Sequence, residues 1–214
     1  MTKKTTTITS ILALGALLSL AAQSVEPGIV IGNQTWAADN LNVSTFRNGD
    51  PIPEAQSNAE WEKAGREKQP AWCYYAGDPK NGETYGKLYN WYAVTDPRGL
   101  APEGWHVPSL EEWHELAAFL GGADRAGIKL KSRIGWDKGG NGRDTVGFAG
   151  IPGGGRGDDN GFFSLGLSGY LWTTTEDESN PDDARYRSLY HDKDYLGGNP
   201  THKRNGLYVR CLKD

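Results

Sequence analysis

The sequence predicts a mixed α and β fold in which short strands and long ordered loops are braced by two capped helices. Three observations carry this. The 214-residue chain holds 29 Gly, eight Trp and ten Tyr against one Met, a composition in which large aromatics supply the buried area that long helices give elsewhere. Two S-x-x-E capping boxes, Ser57 to Glu60 and Ser109 to Glu112, mark helix starts. Several short apolar runs bounded by Gly, Pro, Asn or Asp read as strands.

The elements follow in order. Residues 1–24 read as a secretory signal: Lys3 and Lys4 precede a short apolar run, Ile11 to Ala22, and Ala22-Gln23-Ser24 offers a small-x-small cleavage site. The run is too short to span a bilayer comfortably. The competing reading is an uncleaved anchor. No cysteine lies near this site, which argues against a lipid-modified N-terminus. Residues 25–214 then form one domain, with no linker that would split it and no repeat at solenoid period. Ile29-Val30-Ile31 and Thr35-Trp36-Ala37 flank a turn at Gly32-Asn33-Gln34 and read as a hairpin. Ser57 to Lys68 is a capped helix with Trp61 and Ala64 inward. Ala71 to Tyr75 is a strand bounded by Pro70 and a Gly77-Asp78-Pro79 turn. Leu88 to Val94 (LYNWYAV) suits a helix better than a strand, although periodicity alone does not decide.

The clearest local signal is GWHVPSLEEWHELAAFLGG, residues 104–122. Ser109 is the N-cap, Glu112 closes the box, and Leu110, Trp113, Leu116, Ala117 and Leu120 fall on one face. Gly121-Gly122 then ends the helix through a left-handed residue. Residues 135–169 are glycine-rich and loop-like. Three strands follow, at 170–175, 184–190 and 207–212. The second alternates, with Tyr186, Ser188 and Tyr190 on one face and Arg185, Arg187 and Leu189 on the other.

Removing the two signal lysines leaves 21 basic against 27 acidic residues, a net charge of about −6. No Lys/Arg run appears, which argues against nucleic acid or an anionic membrane as partner. Two cysteines in an oxidising compartment invite one disulfide, Cys73 to Cys211; the alternative is two separate buried thiols. Catalytic constellations are thin. His106, His114, His191 and His202 accompany no G-x-S-x-G elbow, and Cys73 sits in an apolar strand where thiols are usually inert. Glu112 of the Glu111-Glu112 pair is already explained by the capping box. Asp158, Asp159 and Asn160 form an oxygen-rich turn that makes calcium a candidate cofactor, without matching a D-x-[DN]-x-[DN]-G loop. Arg156-Gly157-Asp158 spells a tripeptide that arises often by chance. The Gly153–Gly157 run lacks the GK[ST] of a phosphate loop.

Eight phrases in order then carry a resemblance: IGNQTWAADNLNV (31–43), FRNGDPIP (46–53), AWCYY (71–75), YGKLYNWYAV (85–94), GLAPEGWHVPSLEEW (99–113), GFAGIPGGGR (147–156), GYLWTTTE (169–176) and GLYVRCLKD (206–214). The chain resembles the Fibrobacter succinogenes major paralogous domain family over essentially all of residues 25–214. The helix start also resembles that of formylglycine-generating-type domains, which share a C-type-lectin-like fold. The resemblance implies an α+β architecture: two helices packed on twisted antiparallel sheets, N- and C-terminal strands paired, and a ligand face on the loops and strands of the second half. The reactive cysteine pair of the enzymes and the sugar-binding tripeptides of the lectins are both missing.

The expectation is therefore a secreted, periplasmic or cell-surface binding module without catalysis, taking a surface glycan or a protein and not inserting in the membrane once cleaved. Trp172, Arg185, Tyr186, Arg187, His191 and Asp192 are its candidate ligand residues, since aromatics beside arginine suit both sugar stacking and interface contacts. The alternatives are an oxidase or hydrolase on the same scaffold, and a structural envelope component.

Overall fold

The computed structural model describes residues 28–159 and 161–214. The proposed signal at 1–24 and Asn160 lie outside these residues. The fold is α+β, with five α-helices and several small antiparallel sheets among the described residues.

The chain opens on β1 (Ile29–Ile31) and β2 (Gln34–Trp36), the expected hairpin, in register Ile29 to Trp36. The loop that follows leads to α1 (Asn58–Arg66), where Ser57 and Glu60 make the predicted capping box and Trp61 is buried. β3 (Trp72–Cys73) is shorter than the strand expected at 71–75, because the chain turns into a 3-10 helix at Tyr75–Gly77. The supposed turn at Asp78-Pro79 instead starts α2 (Pro79–Tyr85): the Asp78 side chain accepts from the Lys80 N–H, and proline occupies the first helical position, where it has no donor to lose. LYNWYAV is split. β4 (Leu88–Tyr89) pairs with β3, then Asn90 caps α3 (Trp91–Val94) by accepting from the Ala93 N–H at 3.1 Å. The Asn90 carboxamide also accepts from the Ala71 N–H, so one side chain ends a strand and begins a helix.

β5 (Trp105–His106) leads into α4 (Leu110–Phe119), with the predicted box at Ser109 and Glu112 and with Trp113, Leu116 and Ala117 buried. Gly121 and Gly122, with φ of 91° and 99°, close it by donating to the Ala118 and Ala117 carbonyls. They also launch α5 (Ala123–Leu130), which the sequence signal missed. Among its described residues the glycine-rich stretch contains a 3-10 helix at Asp137–Gly139 and the two-residue strands β6 (Gly155–Arg156) and β7 (Phe162–Phe163). β8 (Ser168–Glu176) and β9 (Asp183–Tyr190) form the longest pair, with a bulge between Trp172 and Glu176, and β10 (Pro200–His202) adds to β9. β11 (Leu212–Lys213) inserts between β2 and β5, so the N- and C-terminal strands do pair. The strand expected at 207–212 is regular only at its end. Its earlier part stitches elements together singly: Leu207 exchanges backbone hydrogen bonds with Tyr89, the Trp172 N–H donates to the Tyr208 carbonyl, and the Leu41 N–H to that of Val209.

Two apolar clusters form the core, one on each face of the β8–β9 pair. Leu171 and Leu189 point into the first, with Trp36, Trp113, Leu116 and Phe148. Trp172 points into the second, with Trp72, Tyr89, Trp91 and Val209. Seven of the eight tryptophans are buried. Trp61, Trp72, Trp91 and Trp172 each donate their indole N–H to a backbone carbonyl far away in sequence. These seven tryptophans are therefore core, Trp105 is half-buried, and surface aromaticity falls mainly to tyrosine and phenylalanine.

The expected disulfide is not formed. Cys73 and Cys211 are free buried thiols, one in each cluster. The two thiols are thus packed among different sets of side chains, Cys73 with Leu88 and Tyr208 and Cys211 with Tyr89 and Val209. Burial pushes the Cys73 thiol up to about 11 and that of Cys211 to about 12, leaving both protonated at neutral pH. No helix among the described residues is long and apolar enough to cross a membrane.

Candidate functional site

The six sequence-derived ligand residues do not form one site. Trp172 is fully buried, with its N–H on the Tyr89 carbonyl at 2.8 Å, and is a core residue. Arg185 pairs with the buried Asp177 at 2.6 Å. Asp177 is held in turn by the Ser179 hydroxyl and the Asn180 N–H, which fixes the β8–β9 turn. Arg187 is half-buried on the α4 side of the sheet. His191 and Asp192 lie in the turn after β9, where Asp192 is exposed and paired with Lys193 at 3.2 Å. Of the six, only Tyr186 belongs to an open aromatic surface.

That surface is built by the alternation of β8 and β9. Tyr170 packs edge-on against Tyr186 at 5.7 Å and Tyr190 at 6.4 Å between ring centres. Phe163 on β7 extends the row at 5.5 Å from Tyr170, and Tyr195 extends it beyond Tyr190 at 5.9 Å. Phe163 and Tyr195 are 37 % and 40 % exposed, and the three tyrosines between them are half-buried. Rings meeting at steep angles offer faces and edges in turn, a corrugated strip with phenol hydroxyls along it. The Ser188 hydroxyl donates to that of Tyr190 at 2.9 Å. Burial, then the neighbouring Tyr190 and Tyr170, push the Tyr186 hydroxyl up to about 12, so it stays a hydrogen-bond donor. The alternation of 186, 188 and 190 was legible in the sequence. The addition of Tyr170 depends on register, and that of Phe163 and Tyr195 on loop paths without a local signal.

The turn after Tyr190 is anchored from below. The buried Lys131 ammonium donates to the carbonyls of Tyr190 and Lys193 at 2.9 and 3.0 Å and sits over the Trp136 ring. Burial lowers its pKa, and no local pattern around Lys131 marks this role. On the far side of the sheet, a cavity of about 380 Å³ lies between β9 and the first turn of α4, touching Arg185, Arg187, His114 and Glu178.

Asp158 pairs with Arg204 at 3.4 Å. Among the described residues no group of three or more His, Cys, Asp or Glu side chains could hold a metal ion. Arg156 of the R-G-D tripeptide is buried over Trp61 and Phe162 and donates to Asn58 Oδ1 at 2.9 Å, so the tripeptide is not displayed.

These features define an α+β domain of short strands, a tryptophan core and an aromatic strip on its second half. The chain belongs to the Fibrobacter succinogenes major domain family, whose model matches residues 29–213. No curated protein and no solved structure matches it.

Proposed function

We propose that this chain is a secreted, non-catalytic binding module with a C-type-lectin-like fold, and that it holds a surface glycan on the strip from Phe163 to Tyr195. The observation that carries the reading is the strip itself: five contiguous rings, partly exposed, in a molecule that buries nearly all its tryptophan. Sugar rings present a C–H face to aromatic rings and hydroxyls to phenols, and tyrosine serves both at small entropic cost. The paired chain termini and the placement of the strip on the loops and strands of the second half support the lectin-like reading. The short apolar segment at 11–22 supports secretion. An oxidase of formylglycine-generating type needs a reactive cysteine pair, whereas both thiols here are buried and pushed up, one in each cluster.

A glycan array with the protein from residue 25 onward tests this. Binding of one or more glycans, lost on replacing Tyr190 and Tyr195 with alanine, is expected. A glycan-silent protein that instead captures one protein partner through the same tyrosines would move the ligand class to protein. Turnover abolished by replacing a carboxylate or thiol would end the non-catalytic reading.

A further inference from the structure

The two arginines of β9 lie on the face of the sheet opposite the tyrosines, as the alternation requires, and one of them has no counter-charge. Arg185 is neutralised by Asp177. Arg187 is not: its Nε is buried without a hydrogen-bond partner, and among the described residues it has no ion pair. The charge that acts on it is a second cation, Arg185. Burial first, and then that repulsion, pull its guanidinium below the usual arginine value. A half-buried cation left unpaired is costly and is seldom kept without a use. Gly198 packs closely here: a Cβ there would clash with the Tyr186 carbonyl oxygen and come within 3.2 Å of Arg187 Cδ and Nη1.

The space beside Arg187 is the cavity of about 380 Å³, at the small end of the range for small-molecule sites. Leu110 gives it an apolar wall. Thr175, Glu176 and Glu178 also line it, as does Tyr186. Glu176 is already paired with Lys203 at 3.0 Å. Glu178 has no such partner among the ion pairs of the described residues, and His114 is paired with Glu111 at 3.5 Å. The cavity thus sets one free guanidinium against a free carboxylate and hydrogen-bonding side chains. Carboxylates at the rim repel a multiply charged anion such as phosphate. They accept from hydroxyl or ammonium donors on a singly charged one.

We propose that this cavity is a second ligand site, which takes a small carboxylate bearing hydroxyl or amino donors, of the acidic-sugar type, with Arg187 gripping the carboxylate. The guanidinium fork matches a carboxylate in two parallel hydrogen bonds. Tyr186 borders both the cavity and the strip, but Arg187 and the rings of Tyr190 and Tyr195 do not share a site, so either site can fail without the other.

Calorimetric titration of the full chain with sodium glucuronate, glucose, acetate and inorganic phosphate tests it. Glucuronate is expected to saturate one site with Kd of about 1 mM or tighter, with each of the others at least tenfold weaker. Arg187→Met should abolish glucuronate binding, leave Tm unchanged or raised because an unpaired charge has gone, and leave glycan binding by the tyrosines intact. Should that variant not fold, Arg187→Gln, which keeps a donor without the charge, serves the same comparison. Glucuronate bound equally by the Arg187 variant, phosphate bound more tightly than glucuronate, or no saturable binding at all would each overturn the proposal.

Discussion

At the scale of single residues, the fold leans on buried cations laid over aromatic rings. Lys87 lies over Trp72, Lys131 over Trp136, Lys203 over Trp91 and Arg210 over Phe148, at 4.5 to 5.4 Å from the ring centres. Arg210 shows the principle. It is fully buried and donates from Nη1 to the carbonyls of Ala37, Ala38 and Phe148 and from Nε to Asn40 Oδ1, tying the segment before β11 to two loops. Burial pulls its pKa down to about 10, still high enough to keep it charged. Replacing it with methionine leaves those carbonyls without donors. The expected loss is about 2–4 kcal/mol, read from urea unfolding. The thiols allow a second check. The mass of the native protein should not change on reduction, and both cysteines should alkylate only after denaturation. A native protein two mass units lighter than its reduced form would contradict two free thiols.

At the scale of elements, the start of α4 joins structure to pH. Glu112 closes the capping box on Ser109 and also meets His106 Nε2 at 2.9 Å, while His106 Nδ1 meets Asp214 at 2.7 Å. Burial by itself would lower the His106 pKa, but the two carboxylates outweigh it and hold the value above the ordinary 6.5. Burial likewise works to raise Glu112, and its hydrogen bonds with Ser109 and His106 outweigh that and hold it below 4.5. A raised histidine stabilises fully below its unfolded value and loses this as pH rises through the folded one. A depressed carboxylate contributes above its unfolded value and loses this as pH falls through the folded one. The urea midpoint should therefore be highest between about pH 5 and 6.5 and fall toward pH 8.5, with the alkaline fall flattened in His106→Gln. Ser109→Ala should lower stability by about 1 kcal/mol.

The same element shows what sequence alone conveys. Both capping boxes, the hairpin and the β8–β9 pair were legible because their signals are local: a side chain three residues from its partner, or alternation along one strand. α2 was hidden because Asp78-Pro79 serves equally as a turn and as a helix start. α5 was hidden because it follows two glycines and carries a third, Gly127, whose missing Cβ lets the Tyr195 backbone approach. In LYNWYAV the deciding fact, Asn90 bonding to Ala71, lies nineteen residues back along the chain.

At the scale of the whole molecule, one two-faced sheet explains why the predicted ligand residues separated. Their spacing on β9 places Tyr186 and Arg187 on opposite faces, and the structure does the same. What spacing does not convey is that the two faces close over different cores, leaving the tyrosines open beside β7 and the arginines beneath α4. Trp172 is core and not ligand surface for the related reason that its partners are Tyr89 and Tyr208, remote in sequence. The separation predicts independent effects: changes at Tyr190 and Tyr195, which lie off the cavity, should leave glucuronate binding at Arg187 unaltered, and the reverse, as measured by paired titrations.

The central claim, a glycan held on the strip, is tested most directly by native gels containing xylan, mannan or hydroxyethylcellulose. Wild-type protein should be retarded by at least one of these. The Phe163→Ala/Tyr195→Ala variant, which alters the two most exposed rings and should keep its Tm, should bind that polysaccharide roughly tenfold more weakly or not at all. Retardation that is undiminished in the double variant would contradict the account.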